Sequence, residues 1–204
     1  MLKVLGRITS INVRKVLWAL DELGLDYERE DWGLPLRDPK TPEFLALNPN
    51  GQVPVLLDGP FVLWESNAIL IHLAERGGAL LPQQREVRAL ALQWLIWQVS
   101  ELNPAWGYAV RALIRQMPGH DDKAKIADSI ARWGEKMAIL EAHLASGGPF
   151  VSGDFGIADI ALGLSVHRWL ALPTEKTALP ALAEYYERLK IRPAAGRWMG
   201  PETP

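Results

Sequence analysis

Asn48-Pro49-Asn50-Gly51-Gln52-Val53-Pro54-Val55 leads through Asp58-Gly59-Pro60 into Trp64-Glu65-Ser66-Asn67-Ala68-Ile69-Leu70. Val53 to Leu57 and Phe61 to Trp64 are short apolar runs, and the Asp-Gly-Pro between them reads as a hairpin turn. Pro54 is awkward inside the first run, because a residue without an N–H is confined to strand starts and edges. In its plainest reading the segment is a turn feeding a strand. A cis Val53-Pro54 bond would instead turn the Val53 backbone outward, toward an extended peptide-like ligand. A helix follows from Ser66 to about Glu75, stopped by Gly77-Gly78. Glu65 ahead of it is either an acidic group favourable to the helix dipole or half of a recognition pair. In the second case Glu65 takes an ammonium, and Ser66 with the helix N-terminus takes a carboxylate.

Upstream, strand and helix signals alternate. Lys3 to Leu5 begins a β run. Val13, Val16, Leu17, Leu20 and Leu23 mark one helix face, closed by Gly24. Tyr27 to Trp32 reads as a second strand, and Thr41-Pro42-Glu43 starts a short helix running to Leu47. The order is β-α-β-α-β-β-α. From about Gln83 the strand signal ends. Leu90 to Val99 is one long apolar helical stretch; Asp121 to Leu144, Ile157 to Leu170 and Leu182 to Leu189 are further helices, with Trp94, Trp97 and Trp133 assigned to the core. The expected architecture is therefore α+β: a βαβαββα domain over 1–78 joined to an all-helical domain over 84–204.

Composition narrows the function classes. The 204 residues are 49% hydrophobic and 23% charged, with a net charge of -2, which gives no basic footprint for nucleic acid. The chain has no cysteine, which removes disulfides, thiolate metal clusters and a protein-thiol nucleophile. Four histidines without i,i+4 pairing or an HExxH motif predict no metal site. No apolar run approaches the ~18–20 residues of a membrane span. Met-Leu-Lys-Val-Leu at the start lacks the features of a signal peptide, so a cytoplasmic protein is expected.

One further segment, Thr9-Ser10-Ile11-Asn12-Val13-Arg14-Lys15-Val16, joins the first strand to the first helix. Simple N-capping accounts for Ser10 or Asn12; so does anion binding by a hydroxyl and an amide at a helix N-terminus. Taken in order, these segments resemble the cytosolic glutathione S-transferases. Ser10 to Val16 resembles the first-loop motif of serine-type and related bacterial classes, of theta or nu type. Asn48 to Val55 resembles the Asn-Pro-x-Gly-x-Val-Pro segment, and Glu65 to Ile69 the Glu-Ser-x-Ala-Ile segment. Gly153-Asp154-Phe155-Gly156-Ile157-Ala158-Asp159-Ile160 resembles the family's folding motif, with Gly156 standing where Ser or Thr is usual.

The resemblance implies a thioredoxin-like first domain and a glutathione co-substrate, without metal. It implies that Ser10 holds the thiolate, or Ser10 with Asn12. Glu65 would take the glutamyl ammonium, Ser66 its carboxylate, and Val53 beside Pro54 the cysteinyl backbone. Lys40, or Arg37, would take the glycyl carboxylate, with help from Gln52. An electrophile pocket between the halves would draw on Arg7, Ile8, Asn103, Trp106 and Tyr108, although Trp106 and Tyr108 equally suit a helical core. A homodimer is implied, built on Ala68 to Glu75 and the helix from Arg85. The leading expectation is a transferase that activates glutathione against a small hydrophobic electrophile. Glutathione-dependent disulfide or peroxide reduction and a non-catalytic binding module are the competing readings.

Overall fold

The computed structural model describes residues 1–200. The chain forms two compact units: Met1–Leu81 together with the segment beginning at Ala194, and Pro82–Pro193. The last four positions of the expected helical domain, 201–204, lie outside the described residues.

The first unit is a thioredoxin-like βαβαββα arrangement. Its strands are β1 (Leu2–Leu5), β2 (Tyr27–Glu30), β3 (Val55–Asp58) and β4 (Phe61–Trp64). They lie in the order β2-β1-β3-β4, with β1 parallel to β2 and antiparallel to β3, and β3 antiparallel to β4. Leu2, Val4 and Leu5 of the inner strand β1 are buried, whereas the edge strand β2 is Tyr-Glu-Arg-Glu, with charges that discourage pairing with another chain. Leu5, Trp32, Phe44 and Val55 form a buried cluster, its Trp32 and Phe44 rings 4.8 Å apart. Phe44 comes from the short helix α2 (Pro42–Leu45).

Helices α1 (Ile11–Leu23) and α3 (Ser66–Gly77) pack on each other. Nine of the thirteen residues of α1 are buried, Arg14 and Lys15 among them, so the apolar stripe read from the sequence understates how enclosed this helix is. Arg14 donates to the Trp198 carbonyl at 3.1 Å, and the Trp198 indole donates to Asp21 at 2.8 Å. These bonds hold α9 (Ala195–Trp198) in the first unit, a return of the chain that the sequence reading places in the helical half.

The second unit is all helix among the described residues. The expected Leu90–Val99 stretch is α4 (Arg85–Trp97) running into a π-helical turn at Gln98–Leu102, and the helix goes on past that expectation through α5 (Asn103–Ala109) and a second π-helical turn at Val110–Ile114. Pro104 follows the first wide turn; a proline there cannot donate back along the helix, and a π-turn is one way the backbone absorbs the loss. Helix α6 (Lys123–Ser146) is capped by Asp122, whose carboxylate accepts from the Ala124 and Lys125 amides at 2.9 and 3.2 Å. Helix α7 (Ile157–Ala171) is buried from Ile157 through Trp169, as a helix apolar all round requires. It is flanked by α8 (Pro180–Lys190) and by α4. Trp133 is fully buried and Trp94 nearly so, while Trp97 is half-buried. No helix of the described residues is long and apolar enough to cross a membrane.

Candidate functional site

The Asn48–Pro54 loop is folded around its own first residue. Asn48 is buried; its amide donates to the Gln52 carbonyl at 2.7 Å and its oxygen accepts from the Asn50 backbone and side chain, both at 3.0 Å. Gly51 has φ of +58°, and a Cβ there would lie 2.7 Å from the Lys40 side chain and 2.9 Å from the Pro39 carbonyl, so glycine is required twice over. The Val53-Pro54 bond is cis. Gly6 lets the first loop close on this segment: a Cβ would meet Val13 at 2.4 Å and Val53 at 3.3 Å.

Glu65 carries the other wall. It is a non-glycine residue at φ 75°, a backbone state that costs on the order of 1–3 kcal/mol and concentrates at functional sites. Its carboxylate is the N-cap of α3, one oxygen accepting from the Asn67 and Ala68 amides at 2.9 and 3.0 Å. The dipole reading of Glu65 is thus realised as a full cap through one carboxylate oxygen. Ser66 beside it is buried.

Between these walls lies a cavity of about 240 Å³ lined by Asn12, Asn48, Asn50, Gln52, Val53, Pro54, Trp64, Glu65 and Ser66. Glu65 is its one formally charged lining residue; the rest of the wall is amide, hydroxyl, backbone and indole. Such a wall suits an extended, peptide-like molecule carrying an ammonium. The Asn12 side-chain oxygen is buried without a hydrogen-bond partner.

Six expected site residues therefore meet in one cavity: Asn12, Gln52, Val53, Pro54, Glu65 and Ser66. Ser10 is the N-cap of α1 and lies outside that lining, and its hydroxyl makes no capping bond. It caps the helix through its carbonyl, which accepts from the Arg14 amide at 3.0 Å, and not through its side chain. Lys40 is exposed at the rim and donates to the carbonyl of the lining residue Asn50 at 2.8 Å. Arg37 is committed elsewhere, 3.8 Å over the Trp32 ring and paired with Glu30 and Glu43.

In the same unit, Arg7 donates to Thr9 at 2.7 Å, and the half-exposed Ile8 lines a separate groove with Tyr27, Arg29 and Trp198. In the helical unit, Asn103 accepts from Gln98 at 2.9 Å. Trp106 is buried edge-on against Trp133, and Tyr108 packs against His120. Asn48, Asn50 and Trp64 are lining residues that the sequence reading did not single out. Trp64, a large aromatic left 42% exposed at a strand end, is the kind of residue that signals such a role.

Two family models match, the glutathione S-transferase N-terminal domain over residues 1–75 and the C-terminal domain over residues 123–188. The chain is 36% identical over 198 residues to glutathione S-transferase GstB of Escherichia coli K12, covering 95% of each protein. The chain belongs to the glutathione S-transferase family. It is also 32% identical over 198 residues to the disulfide-bond oxidoreductase YfcG of Escherichia coli K12, with 91% of this chain and 89% of that protein covered. Among solved structures, the theta class glutathione S-transferase from Xanthomonas axonopodis pv. citri with glutathione bound superposes with a TM-score of 0.92 at 39% identity, covering 98% of this chain and 97% of that one. The family's folding motif is present in this transferase with Gly156 at the cap: the Gly156 amide donates to Asp159 at 2.9 Å, and glycine has no side chain to return the bond.

Proposed function

We propose that this glutathione S-transferase binds glutathione in the cavity between the Asn48–Pro54 loop and the start of α3, and activates its thiol for attack on a small hydrophobic electrophile. The observation that carries the reading is the convergence of Asn12, Val53, Glu65 and Ser66 on that single cavity. Glu65 takes the glutamyl ammonium on its carboxylate, Ser66 and the first turn of α3 take the adjacent carboxylate, and Val53 pairs with the cysteinyl backbone. Lys40 at the rim takes the glycyl carboxylate, with Gln52 beside it.

The thiol then meets the N-terminus of α1. Lowering its pKa from ~8.5 by about two units requires roughly 2.7 kcal/mol of preference for the anion. A hydrogen bond to a charged group supplies ~1.5–3 kcal/mol and a helix N-terminus a further ~0.3–1 kcal/mol. Asn12, Ser10 and the amides of α1 therefore suffice without a general base. The thiolate's attack forms the carbon–sulfur bond as the leaving group departs with the displaced electron pair.

A second reading, glutathione-dependent disulfide or peroxide reduction, is supported by the similarity to YfcG. The absence of cysteine does not oppose it when two glutathione molecules supply both thiols. Assay against an aryl halide, an organic peroxide and hydroxyethyl disulfide separates the two. Turnover of the halide alone supports transfer, turnover of the disulfide or peroxide alone supports reduction, and none of the three supports the binding module.

Glu65→Ala and Ser66→Ala should each weaken glutathione by tenfold or more, on the scale of one charge-assisted hydrogen bond. Wild-type affinity for both variants by calorimetric titration would remove the site. We further propose a cytoplasmic homodimer that uses Ala68 to Glu75 and α4, a helix that leaves Leu90 and Ile96 exposed. Light scattering should give twice the 22.7 kDa chain mass at micromolar concentration, and a monomer refutes the assembly.

A further inference from the structure

Lys15 lies one turn after Asn12 on the same face of α1, since residues three apart on a helix are neighbours. Asn12 reaches the cavity; Lys15 is fully buried behind it. The Lys15 amine donates to the Asn67 side-chain oxygen at 3.2 Å, across 52 positions of sequence. Asn67 is itself buried, and its backbone amide donates to the Glu65 carboxylate at 2.9 Å. A continuous path therefore runs from the α1 face that carries Asn12, through Lys15 and Asn67, to the carboxylate that would hold the ligand's ammonium.

We propose that Lys15 is a positioning residue that fixes the spacing between the two ends of the glutathione site through Asn67. The inference rests on the glutathione reading and deepens it. A ligand that touches Asn12 on one helix and Glu65 and Ser66 at the start of another gains fully from its second attachment only if the two helices keep a set distance, because that attachment is then intramolecular and already oriented. Lys15 does this at the level of the cavity itself, where apolar packing between α1 and α3 alone would leave the polar groups of the two helix starts free to shift. A lysine that served only to stabilise the fold would be a poor choice, since a buried amine is often replaced by a well-packed apolar side chain at no loss of stability.

The test uses Lys15→Met, Asn67→Ala and the double variant, each measured for glutathione affinity, thermal unfolding, and KM and kcat with an aryl halide. Asn67→Ala keeps the backbone amide that Glu65 caps. Each single variant should weaken glutathione about tenfold, raising its KM while kcat at saturation changes by less than about twofold. The double variant should be no weaker than either single one, because one link has been cut twice. Lys15→Met should unfold within a few degrees of wild type. Wild-type affinity in Lys15→Met, or additive losses in the double variant, overturns the proposal. So does a fall in stability with unchanged affinity, the pattern of a merely structural lysine. If Lys15→Met does not fold, wild-type affinity in Asn67→Ala overturns it equally. Failure of the unaltered protein to bind glutathione overturns the glutathione reading itself, a separate result.

Discussion

Replacing Asp159 by alanine is expected to cost the fold about 3–5 kcal/mol, the range in which buried polar networks break. Its carboxylate is fully buried and accepts from the Val151 amide at 3.0 Å, the Gly156 amide at 2.9 Å and the Tyr185 hydroxyl at 3.0 Å. It thereby joins the turn before α7, the first residues of α7 and the buried face of α8. Alanine leaves the buried Val151 and Gly156 amides without their acceptor and Tyr185 with only the Asp159 carbonyl at 3.4 Å. Gly156 contributes no side-chain oxygen to the cap, so Asp159 alone holds the α7 start. Burial also raises the carboxyl pKa from 3.8 to about 6, against the pull of its three donors. Because the folded pKa lies above the unfolded one, the native state holds this proton more tightly. The contribution of the group is then greatest below pH 4 and is lost as pH rises through 6. Asp159→Asn, which cannot ionise, removes that dependence. Its deficit relative to wild type should shrink by roughly 1–1.5 kcal/mol between pH 5 and pH 8. Urea unfolding at both pH values measures this directly; other carboxylates titrate alike in the two proteins and cancel. A deficit that grows with pH would contradict the assignment.

The folding motif was legible because its residues act on near neighbours, and the same holds for the hairpin at Asp58-Gly59-Pro60 and the helix closed by Gly24. What escaped the sequence depends on partners far along the chain. The apolar face read from Val13, Val16, Leu17, Leu20 and Leu23 leaves Arg14 and Lys15 out, yet both are buried. Their burial follows from a carbonyl at Trp198, 184 positions away, and an amide at Asn67, 52 positions away. The return of α9 was hidden for the same reason, since four helical residues after Pro193 carry no periodicity to detect. Strand β2 ends at Glu30, short of the expected Trp32, where the Trp32 amide turns back to the Glu30 carbonyl at 3.1 Å and the ring enters the cluster with Phe44. At the site, the Asn-Pro-x-Gly loop was recognised, but not that Asn48 would fold the loop around itself and line the cavity. Glu65 was assigned to ligand binding or to the helix dipole. Its geometry realises the second with one carboxylate oxygen, at a φ of 75° that no local pattern announces.

The thiolate partner is where the two helix-start residues diverge, and the expected result is that Asn12 dominates. Bound glutathione should titrate well below free glutathione in the unaltered transferase, read from the ultraviolet absorbance of the thiolate as pH is raised. Asn12→Ala should raise that bound pKa by about 1–2 units, the equivalent of one hydrogen bond to a charged group. Asn12 lines the cavity, its side-chain oxygen is buried without a protein partner, and its amide N–H₂ is a donor of the kind a thiolate accepts. Ser10 stands one residue outside the helix, clear of the lining and with its hydroxyl uncommitted to the cap. Ser10→Ala should therefore raise the pKa by less and leave affinity little changed, whereas Asn12→Ala should also weaken glutathione, because Asn12 is one of the two attachments whose spacing the site maintains. A larger shift in Ser10→Ala than in Asn12→Ala returns the role to the serine. A bound thiol that titrates like free glutathione in the unaltered protein removes the chemical basis for transfer altogether, because without the thiolate there is no competent nucleophile at neutral pH.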